Sequence, residues 1–254
     1  MPQETNRYGA HMLEIVQAGQ IGKTGLLFEM HRLRKRVFKD RLGWKVDIDC
    51  YGLEVDQFDI PEAVYLLSLD EKSRVIGNWR LLPSLGPTMI RDVWPEFLQS
   101  IEMPEDLRVW EASRYGVDSH LENLRENIQQ VQQATQELFC GLTELCLLCG
   151  ITNIFTMYDE RIKRILKRID CEPMMRSAPM RIDDKWAEVG AFRTDEEMLM
   201  RLRSATGLTA SLINRSMLPP ILQNLSELST PIMLPSDQGF AIRPMEQHNA
   251  GTRI

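Results

Sequence analysis

The sequence lacks the features that mark membrane, secreted and nucleic-acid-binding proteins. No apolar run approaches the roughly 18 residues that a bilayer span needs, and residues 1–9 are polar where a secretory signal would be apolar. Lysine and arginine number 30 against 36 aspartate and glutamate, so the net charge is −6. This balance argues against binding to nucleic acid through overall charge. We therefore expect a cytoplasmic protein with no nucleic-acid partner and no membrane partner.

Motifs of common nucleotide-binding and hydrolytic sites are missing as well. The chain has no GxxxxGK(S/T) phosphate loop, no GxGxxG fingerprint, no GxSxG elbow and no HExxH pair. Its four histidines are scattered, and none lies near a candidate nucleophile. Catalysis by a Ser-His or Cys-His arrangement is therefore disfavoured.

Cysteine is scarce and odd in number. The five cysteines fit reduced thiols in a chain without a secretory signal. Cys146 and Cys149 have a zinc-like spacing, but they lie in an apolar helical pattern without a second Cys/His pair. We expect both to pack in the core, and we expect no metal site.

The hydrophobic pattern alternates between helical and strand periods. A chain of 254 residues is long enough to bury one full core. Apolar spacings of three and four residues predict helices over residues 24–42, 121–148, 160–168 and 195–204. Apolar runs bounded by turn residues predict strands over residues 63–69, 74–82, 108–117, 151–158 and 186–192. This order predicts an α/β or α+β sheet that is covered by helices.

One arginine stands at the edge of an apolar helix stripe. Arg34 lies four residues from both Met30 and Phe38, so its guanidinium projects from the edge of the apolar face of the helix. A charge in that position needs an anion beside it. Residues 47–62 hold six acidic residues and no lysine or arginine, and this acidic loop can supply the anion. The alternative is that Arg34 extends from a solvated face into water. Thr24 is a plausible N-cap of the same helix, and Gly43 ends it.

Charged residues also interrupt two predicted strands. Arg80 and Glu111 each stand among apolar residues that should face inward or into a cleft. A half-buried carboxylate has a raised pKa unless it is paired, so Glu111 is a candidate general base. The alternative is a structural ion pair from Glu111 to Arg80 or Arg114. By strict alternation, Arg80 shares its face with Ile76, Asn78 and Leu82, and Glu111 shares its face with Val109, Ser113 and Tyr115.

Four ordered blocks of the sequence resemble the acyl-homoserine-lactone synthase family of bacterial quorum sensing. They read LRKRVFKDRLGW over residues 33–44, DQFD over 56–59, GNWRLLP over 77–83 and WEASRY over 110–115. The resemblance covers roughly residues 12–200 of the chain, and the order and spacing of the blocks are more specific than any one motif.

The resemblance implies an α/β fold similar to the GNAT acyltransferases, with a central mixed twisted sheet flanked by helices. It implies that an acyl chain is transferred from a thioester on acyl carrier protein to the amine of S-adenosylmethionine. Lactone closure then releases methylthioadenosine. S-Adenosylmethionine is a substrate, so no cofactor is expected. Acyl-chain length, the 3-position substituent and the choice between acyl carrier protein and CoA stay open.

The resemblance also implies roles for individual residues. Glu111 and Arg114 would be catalytic, with Glu111 as the base that takes a proton from the amine, directly or through a water. Ser113 and Thr156 would line the acyl-chain pocket, and Thr156 would favour a 3-oxo chain. The residues expected to bind S-adenosylmethionine are Arg34, Phe38, Trp44, Asp56, Asp59 and Arg80.

These roles carry a geometric prediction. Glu111 and Arg114 are three residues apart, which places them on opposite faces of a regular strand. The resemblance requires both at one site. We therefore predict a β-bulge or a strand end between them.

Basic residues cluster on two predicted helices. Because acyl carrier proteins are small and acidic, we expect the carrier to dock on these residues, although a solvated helix face is the alternative. The docking residues in the second of these helices are Arg161, Lys163, Arg164, Lys167 and Arg168, and the first helix adds Arg32, Lys35, Arg36 and Lys39.

The same resemblance divides the chain. Family members commonly start at the position of Met12, so we expect residues 1–11 to be an N-terminal extension and residues 12–206 to form the synthase domain. Residues 207–254 are rich in serine, proline and other polar residues, and we expect a partly irregular C-terminal tail there.

Two other functions stay open at this point. The first is a GNAT-type N-acyltransferase that uses acyl-CoA and another amine, but residues 114–124 contain only Gly116 where such enzymes need a glycine-rich loop. The second is a catalytically inactive relative that binds a ligand or a partner. The joint presence of the site residues argues against it.

Overall fold

The computed structural model describes residues 12–118 and 124–229. The strands are β1 (Met12–Gln17), β2 (Val64–Leu69), β3 (Val75–Pro83), β4 (Val109–Val117), β5 (Asn153–Asp159), β6 (Met175–Arg176), β7 (Met180–Ile182) and β8 (Lys185–Arg193). The α-helices are α1 (Thr24–Arg34), α2 (Met89–Val93), α3 (Leu124–Cys149), α4 (Glu160–Arg168), α5 (Glu196–Thr206) and α6 (Pro220–Ser229). A π-helix (Lys35–Arg41) continues α1, and Pro95–Gln99 and Arg215–Met217 form short 3-10 turns.

The strands form one mixed sheet in the order β1-β2-β3-β4-β5-β8-β6, with β7 also paired to β8. Neighbouring strands are antiparallel except β4 and β5, which pair in parallel only over Val109–Glu111 and Asn153–Phe155. Beyond these residues β4 continues to Val117 and β5 to Asp159 without further pairing between the two strands. The two strands therefore separate along their second halves, and we call the space between them the β4–β5 cleft.

Helices cover both faces of the sheet. Helix α3 lies on one face with α5 and α6 packed against it, and Cys146 and Cys149 are fully buried there, as predicted. Helix α1 and the π-helix cover the other face and bury Met30, Leu33 and Phe38 against β2 and β3. In the described part of the chain, no helix is long and apolar enough to span a bilayer.

The predicted helix over residues 24–42 has the right extent but a mixed character. Its first part is α-helical, and the backbone changes to π geometry from Lys35 to Arg41. Gly43 ends it with a φ of +67°, as predicted. The N-cap prediction was wrong, because Lys23 occupies that position and no side chain caps the helix.

Sequence periodicity missed the shortest elements and one later helix. Helix α2 has five residues, β6 two and β7 three, which is too short for a period to show. Helix α6 lies inside the expected tail, and it buries Leu222 and Leu225 in the core beside α3. Residues 1–11 and 230–254 lie outside the described residues, and the domain boundary at residue 206 stays a prediction.

Candidate active site

Three arginines and three carboxylates meet where α1, β3 and β4 approach the acidic loop of residues 47–62. Arg34 comes from the end of α1, Arg80 from the middle of β3 and Arg114 from β4. Their partners on the loop are Glu54, Asp56 and Asp59. The six formal charges sum to zero, so each buried charge has a partner that offsets the free energy lost on removing it from water.

Arg34 is fully buried and donates hydrogen bonds to two of the carboxylates. Its Nε donates to Glu54, and its Nη1 lies 2.6 Å from Asp59 Oδ1. The prediction that the acidic loop supplies its anion is confirmed, and the alternative of a solvated Arg34 is wrong.

Arg80 and Arg114 complete the cluster. Arg80 Nη1 lies 2.5 Å from Asp56 Oδ1, and Arg114 Nη2 lies 2.6 Å from Asp56 Oδ2. Arg114 Nε also donates to Glu54 Oε1 over 3.0 Å. Burial acts to raise the pKa of the Asp59 carboxyl, but Arg34 and Arg80 outweigh it and hold that pKa well below its ordinary value. Asp59 therefore stays ionised.

A β-bulge brings Arg114 into this cluster. Arg80 pairs with Ser113 and Asn78 with Gly116, so Trp79 alone opposes the two residues between them. Arg114 has a φ of +55°, in the left-handed region that non-glycine residues rarely adopt. The predicted bulge between Glu111 and Arg114 is confirmed.

Two predictions about which residues share a face of the sheet were wrong. The bulge turns Tyr115 to the α3 side, where it contacts Trp79 and Phe139 with ring centroids 5.1 and 5.7 Å away. A second register shift at the start of β3 sends Ile76 into the same core. Tyr115 therefore does not share the face of Glu111, and Ile76 does not share that of Arg80, because strict alternation fails at a bulge.

Glu111 lies beside the cluster as a buried carboxylate. Its Oε2 accepts the backbone N–H of Ile90 over 2.8 Å, and its Oε1 is buried with no hydrogen-bond partner among the described residues. Burial raises the pKa of the Glu111 carboxyl above its ordinary value, and the Ile90 amide only partly offsets that rise. Arg80 and Arg114 form their salt bridges with the loop carboxylates instead, so the predicted alternative of a structural ion pair is wrong.

Two aromatic rings stack against the cluster. Phe38 and Trp44 are parallel within 16°, with centroids 5.1 Å apart. The Arg114 guanidinium lies 5.6 Å from the Phe38 ring centre, and Lys185 Nζ lies 5.9 Å from that of Trp44. Phe38 is 1% exposed and Trp44 36%, so only Trp44 offers a ligand appreciable surface.

The two residues expected to line the acyl-chain pocket lie on different strands. Ser113 Oγ accepts a hydrogen bond from Arg80 Nε over 3.2 Å, which places it at the cluster. Thr156 follows Phe155, the last β5 residue paired with β4, at the opening of the cleft. Its strand neighbours Ile154 and Tyr158 pack toward α3. Alternation therefore places Thr156 on the face opposite Glu111, and its 3-oxo role stays a prediction.

The basic residues of α4 divide into two groups. Arg161 pairs with Asp159 over 3.0 Å, and Lys163 lies 3.3 Å from Glu188. The other three expected docking residues have no ionic partner among the residues that the structure describes; they are Arg164, Lys167 and Arg168. Burial lowers the pKa of Arg41, and the positive charge of Arg161 on α4 adds to this shift.

Several site residues were not identified from the sequence. Glu54 belongs to the acidic loop, but nothing in the spacing separates it from its acidic neighbours. Tyr65 lies opposite Arg80 in the sheet register, and its hydroxyl donates to Asp59 Oδ1 over 2.8 Å. Met89 Sδ is 2.9 Å from Arg80 Nη2 and 3.3 Å from Arg114 Nη1. Lys185 reaches Trp44 from a remote hairpin, and no sequence signal indicates this contact.

Comparisons with known proteins agree on one family. A family model described as autoinducer synthase matches residues 21–202. A probable acyl-homoserine-lactone synthase of Sinorhizobium fredii is 36% identical over 194 residues, which cover 76% of this chain and 92% of the relative. The acyl-homoserine-lactone synthase of Agrobacterium fabrum is 37% identical over 169 residues, which cover 66% of this chain and 79% of the relative.

Solved structures show the same fold. The synthase LasI superposes with a TM-score of 0.66 at 24% identity, covering 82% of this chain and 99% of LasI. A CoA-dependent acyl-homoserine lactone synthase, BjaI, solved with S-adenosylmethionine and isopentyl-CoA, has a TM-score of 0.66 at 23% identity, covering 79% and 92%. The predicted GNAT-like fold, a mixed sheet flanked by helices, is confirmed.

Proposed function

The chain belongs to the autoinducer synthase family and is an acyl-homoserine-lactone synthase, and we propose that Glu111 is the base that starts its reaction. The observation that carries this proposal is that Oε1 of Glu111 is buried beside the arginine–carboxylate cluster and has no hydrogen-bond partner in the described part of the chain. Family membership argues against the alternative of a GNAT-type acyltransferase that acts on another amine. Retention of the base and the cluster argues against an inactive relative.

The first step joins the acyl chain to the amine. The α-amino group has an ordinary pKa of about 7.7 to 8.0, so at neutral pH it must lose a proton before it can attack. Glu111, whose pKa burial raises above its ordinary value, accepts this proton directly or through one water. The amine then attacks the thioester carbonyl, an amide bond forms, and the thiol leaves.

Exposure divides the cluster into residues that meet the substrate and residues that support them. The side chains of Arg114 and Asp56 are 10% and 12% exposed, whereas those of Arg34 and Glu54 are fully buried. This exposure supports Arg114 as the residue that binds the carboxylate of S-adenosylmethionine and Asp56 as the residue that faces its ammonium or sulfonium. The buried members, which include Arg80 and Asp59, orient these two.

Aromatic contacts supply the remaining recognition. Trp44, which is 36% exposed, is the ring of the pair that can meet the adenine ring or the sulfonium, since a cation is attracted to an aromatic face. One side of the indole stacks on Phe38 and the Lys185 ammonium lies 5.9 Å from the ring centre, so a ligand cation would take the place of Lys185. Phe38 is buried behind it and supports the indole from below. This assigns Phe38 an indirect role in binding S-adenosylmethionine.

The second step closes the lactone. The substrate carboxylate attacks the γ-carbon, the bond from that carbon to sulfur breaks, and methylthioadenosine leaves with the electron pair. Both reacting groups belong to one molecule, so the site chiefly has to hold the chain folded.

The acyl donor enters through the cleft between β4 and β5, where Ser113 and Thr156 lie on opposite strands. The thioester is carried by acyl carrier protein, which docks on the basic residues of α4 and the π-helix. CoA is the alternative carrier, as in BjaI. The absence of a cofactor, of a metal and of nucleic-acid or membrane partners, and the cytoplasmic location, stay predictions.

Mass spectrometry of the purified protein's products tests the function. S-Adenosylmethionine is supplied with an acyl thioester on acyl carrier protein, and in a parallel reaction with the same chain on CoA. We expect acyl-homoserine lactone and methylthioadenosine in equal amounts, with the carrier protein as the better donor. If neither product forms with an acyl chain of any length, the assignment is contradicted. Faster turnover with acyl-CoA would contradict the proposed carrier.

A further inference from the structure

We propose that Asn78 is a positioning residue that holds the β4 bulge in the conformation that lets Arg114 reach the substrate. This inference rests on the proposed role of Arg114 in binding S-adenosylmethionine. Asn78 is fully buried in β3, and its Nδ2 donates to the backbone carbonyl of Arg114 over 2.7 Å.

The bulge needs such a partner. An extra residue in a strand is left out of the ladder, and a buried carbonyl without a partner is costly. The left-handed φ of +55° at Arg114 adds strain, which persists only when the surroundings hold the backbone in place. The amide of Asn78 meets both needs at the residue whose side chain has to turn into the site.

Packing prevents the Asn78 amide from moving away. A Cβ atom at Gly116 would lie 3.3 Å from Asn78 Oδ1 and 3.2 Å from a Val37 methyl, so the amide is enclosed between β4 and the π-helix. The orientation of the amide is determined as well, because only its nitrogen can donate to a carbonyl. Asn78 therefore acts on Arg114 through one defined hydrogen bond.

The contacts of Arg114 show what the bulge achieves. Its guanidinium bonds Glu54 and Asp56, and Met89 Sδ lies 3.3 Å from its Nη1. In a regular ladder the side chain would point toward α3, on the side of Trp79 and Phe139. Loss of the Asn78 bond would therefore weaken the binding of S-adenosylmethionine without removing any group that touches it.

The test is a double-mutant cycle on the equilibrium binding of S-adenosylmethionine. Asn78→Asp keeps the size of the side chain but replaces the donor with an acceptor that repels the Arg114 carbonyl. We expect Asn78→Asp to raise the dissociation constant about tenfold, as the loss of a buried hydrogen bond does. In an Arg114→Ala background the same change should have little further effect, because the side chain that Asn78 positions is gone.

Ser68→Ala is the matched control. Ser68 is a buried polar residue on the adjacent strand β2, its Oγ has no hydrogen-bond partner in the described residues, and its loss should leave binding unchanged. Thermal melting shows that each variant is folded, and Asn78→Ser replaces Asn78→Asp if the latter is not. Unchanged binding in the variant, or the same factor in both backgrounds, would overturn the positioning role. A wild-type protein that makes no lactone would instead contradict the proposed function itself.

Discussion

At the scale of single residues, the pKa values of two buried carboxylates of this site are shifted in opposite directions. The pKa of Glu111 is raised because burial is not matched by an ion pair, and the pKa of Asp59 is lowered because Arg34 and Arg80 contact it. Opposite shifts of this kind fit the proposal that Glu111 accepts a proton while Asp59 stays charged. The environment, and not the residue type, assigns these tasks.

The role of Glu111 predicts the effect of an isosteric change. Glu111→Gln keeps the acceptor for the Ile90 amide but removes the basic oxygen, and loss of a general base costs about 10²- to 10⁴-fold in rate. Lactone formation measured by mass spectrometry should fall by this factor, while binding of S-adenosylmethionine changes little. Glu137→Gln, at another buried glutamate on the far side of the sheet in α3, serves as the control. Turnover like that of the wild type in a folded Glu111→Gln protein would remove Glu111 from the mechanism.

At the scale of elements, two departures from regular geometry create the site. The π-helix after Arg34 carries Phe38 onto Trp44, and the bulge in β4 carries Arg114 onto the acidic loop. The π-helix and β4 also contact each other. Irregular backbone of this kind is common at functional sites, where it aims side chains that a regular element would point elsewhere.

Helix α4 is the element that tests the carrier-docking proposal. Lys163 is engaged by Glu188, so the informative residues are Arg164, Lys167 and Arg168, whose charges have no ionic partner in the described part of the chain. Charge reversal at these three positions should raise the KM for the acyl carrier thioester about tenfold at low salt, and the difference should shrink as salt screens the interaction. The KM for S-adenosylmethionine should not change.

Lys72→Glu in the exposed turn between β2 and β3 provides the control for reversal of one exposed positive charge outside α4, to be compared with each single reversal on α4. A carrier KM that stays the same in the α4 variant at every salt concentration would place the docking surface elsewhere. An equal rise in the KM for acyl-CoA would show that α4 acts on the thioester arm rather than on the carrier protein.

At the scale of the whole molecule, the core extends beyond the segment matched by the family model. That match ends at residue 202, yet Ile213, Leu218 and Leu222 are buried in the core beside α3. Glu144 on α3 accepts the backbone N–H groups of Leu212 and Ile213 and so fastens the connecting segment. Helix α6 is thus packed as part of the folded unit.

Stability measurements should detect this packing. Leu222→Ala removes a fully buried side chain and should lower the free energy of unfolding by about 2–5 kcal/mol in urea titrations. Met200→Ala on α5, where the side chain is largely exposed, should change it by less than about 0.5 kcal/mol. Equal, small effects from the two substitutions would show that α6 adds nothing to the stability of the core.

The cluster also predicts how stability depends on pH. Asp59 has a lowered pKa in the folded state, so below its ordinary value of 3.8 the unfolded chain binds a proton that the folded chain does not. The stabilisation from its ion pairs is fully present above pH 3.8 and is lost as the pH falls from there toward the lower pKa of the folded state. Asp59→Asn should therefore lower stability at neutral pH and flatten the fall in acid, as measured by urea unfolding between pH 6 and about 3. Asp184→Asn, at an exposed turn, should retain the acid dependence of the wild type.

The sequence alone was sufficient for what depends on local pattern. The periods of α1, α3 and β2 to β5 follow from apolar spacing, because a helix or a strand that buries one face must repeat its apolar residues at its own period. The four blocks that resemble the family were enough to identify the family and its reaction, and to predict site residues that the structure brings together. Even the bulge followed from sequence, since Glu111 and Arg114 could not otherwise share one site.

Only the tertiary structure decided how these residues are paired and exposed. The partners of Arg34 lie 20 and 25 residues away in an irregular loop, and Lys185 meets Trp44 from a distant hairpin. Local spacing carries no information on such contacts, because they depend on how separate elements pack. Exposure likewise separates Arg114 and Asp56, whose side chains are partly accessible, from their buried neighbours. The sequence therefore determined which chemistry is present, and packing determined which atoms are free to perform it.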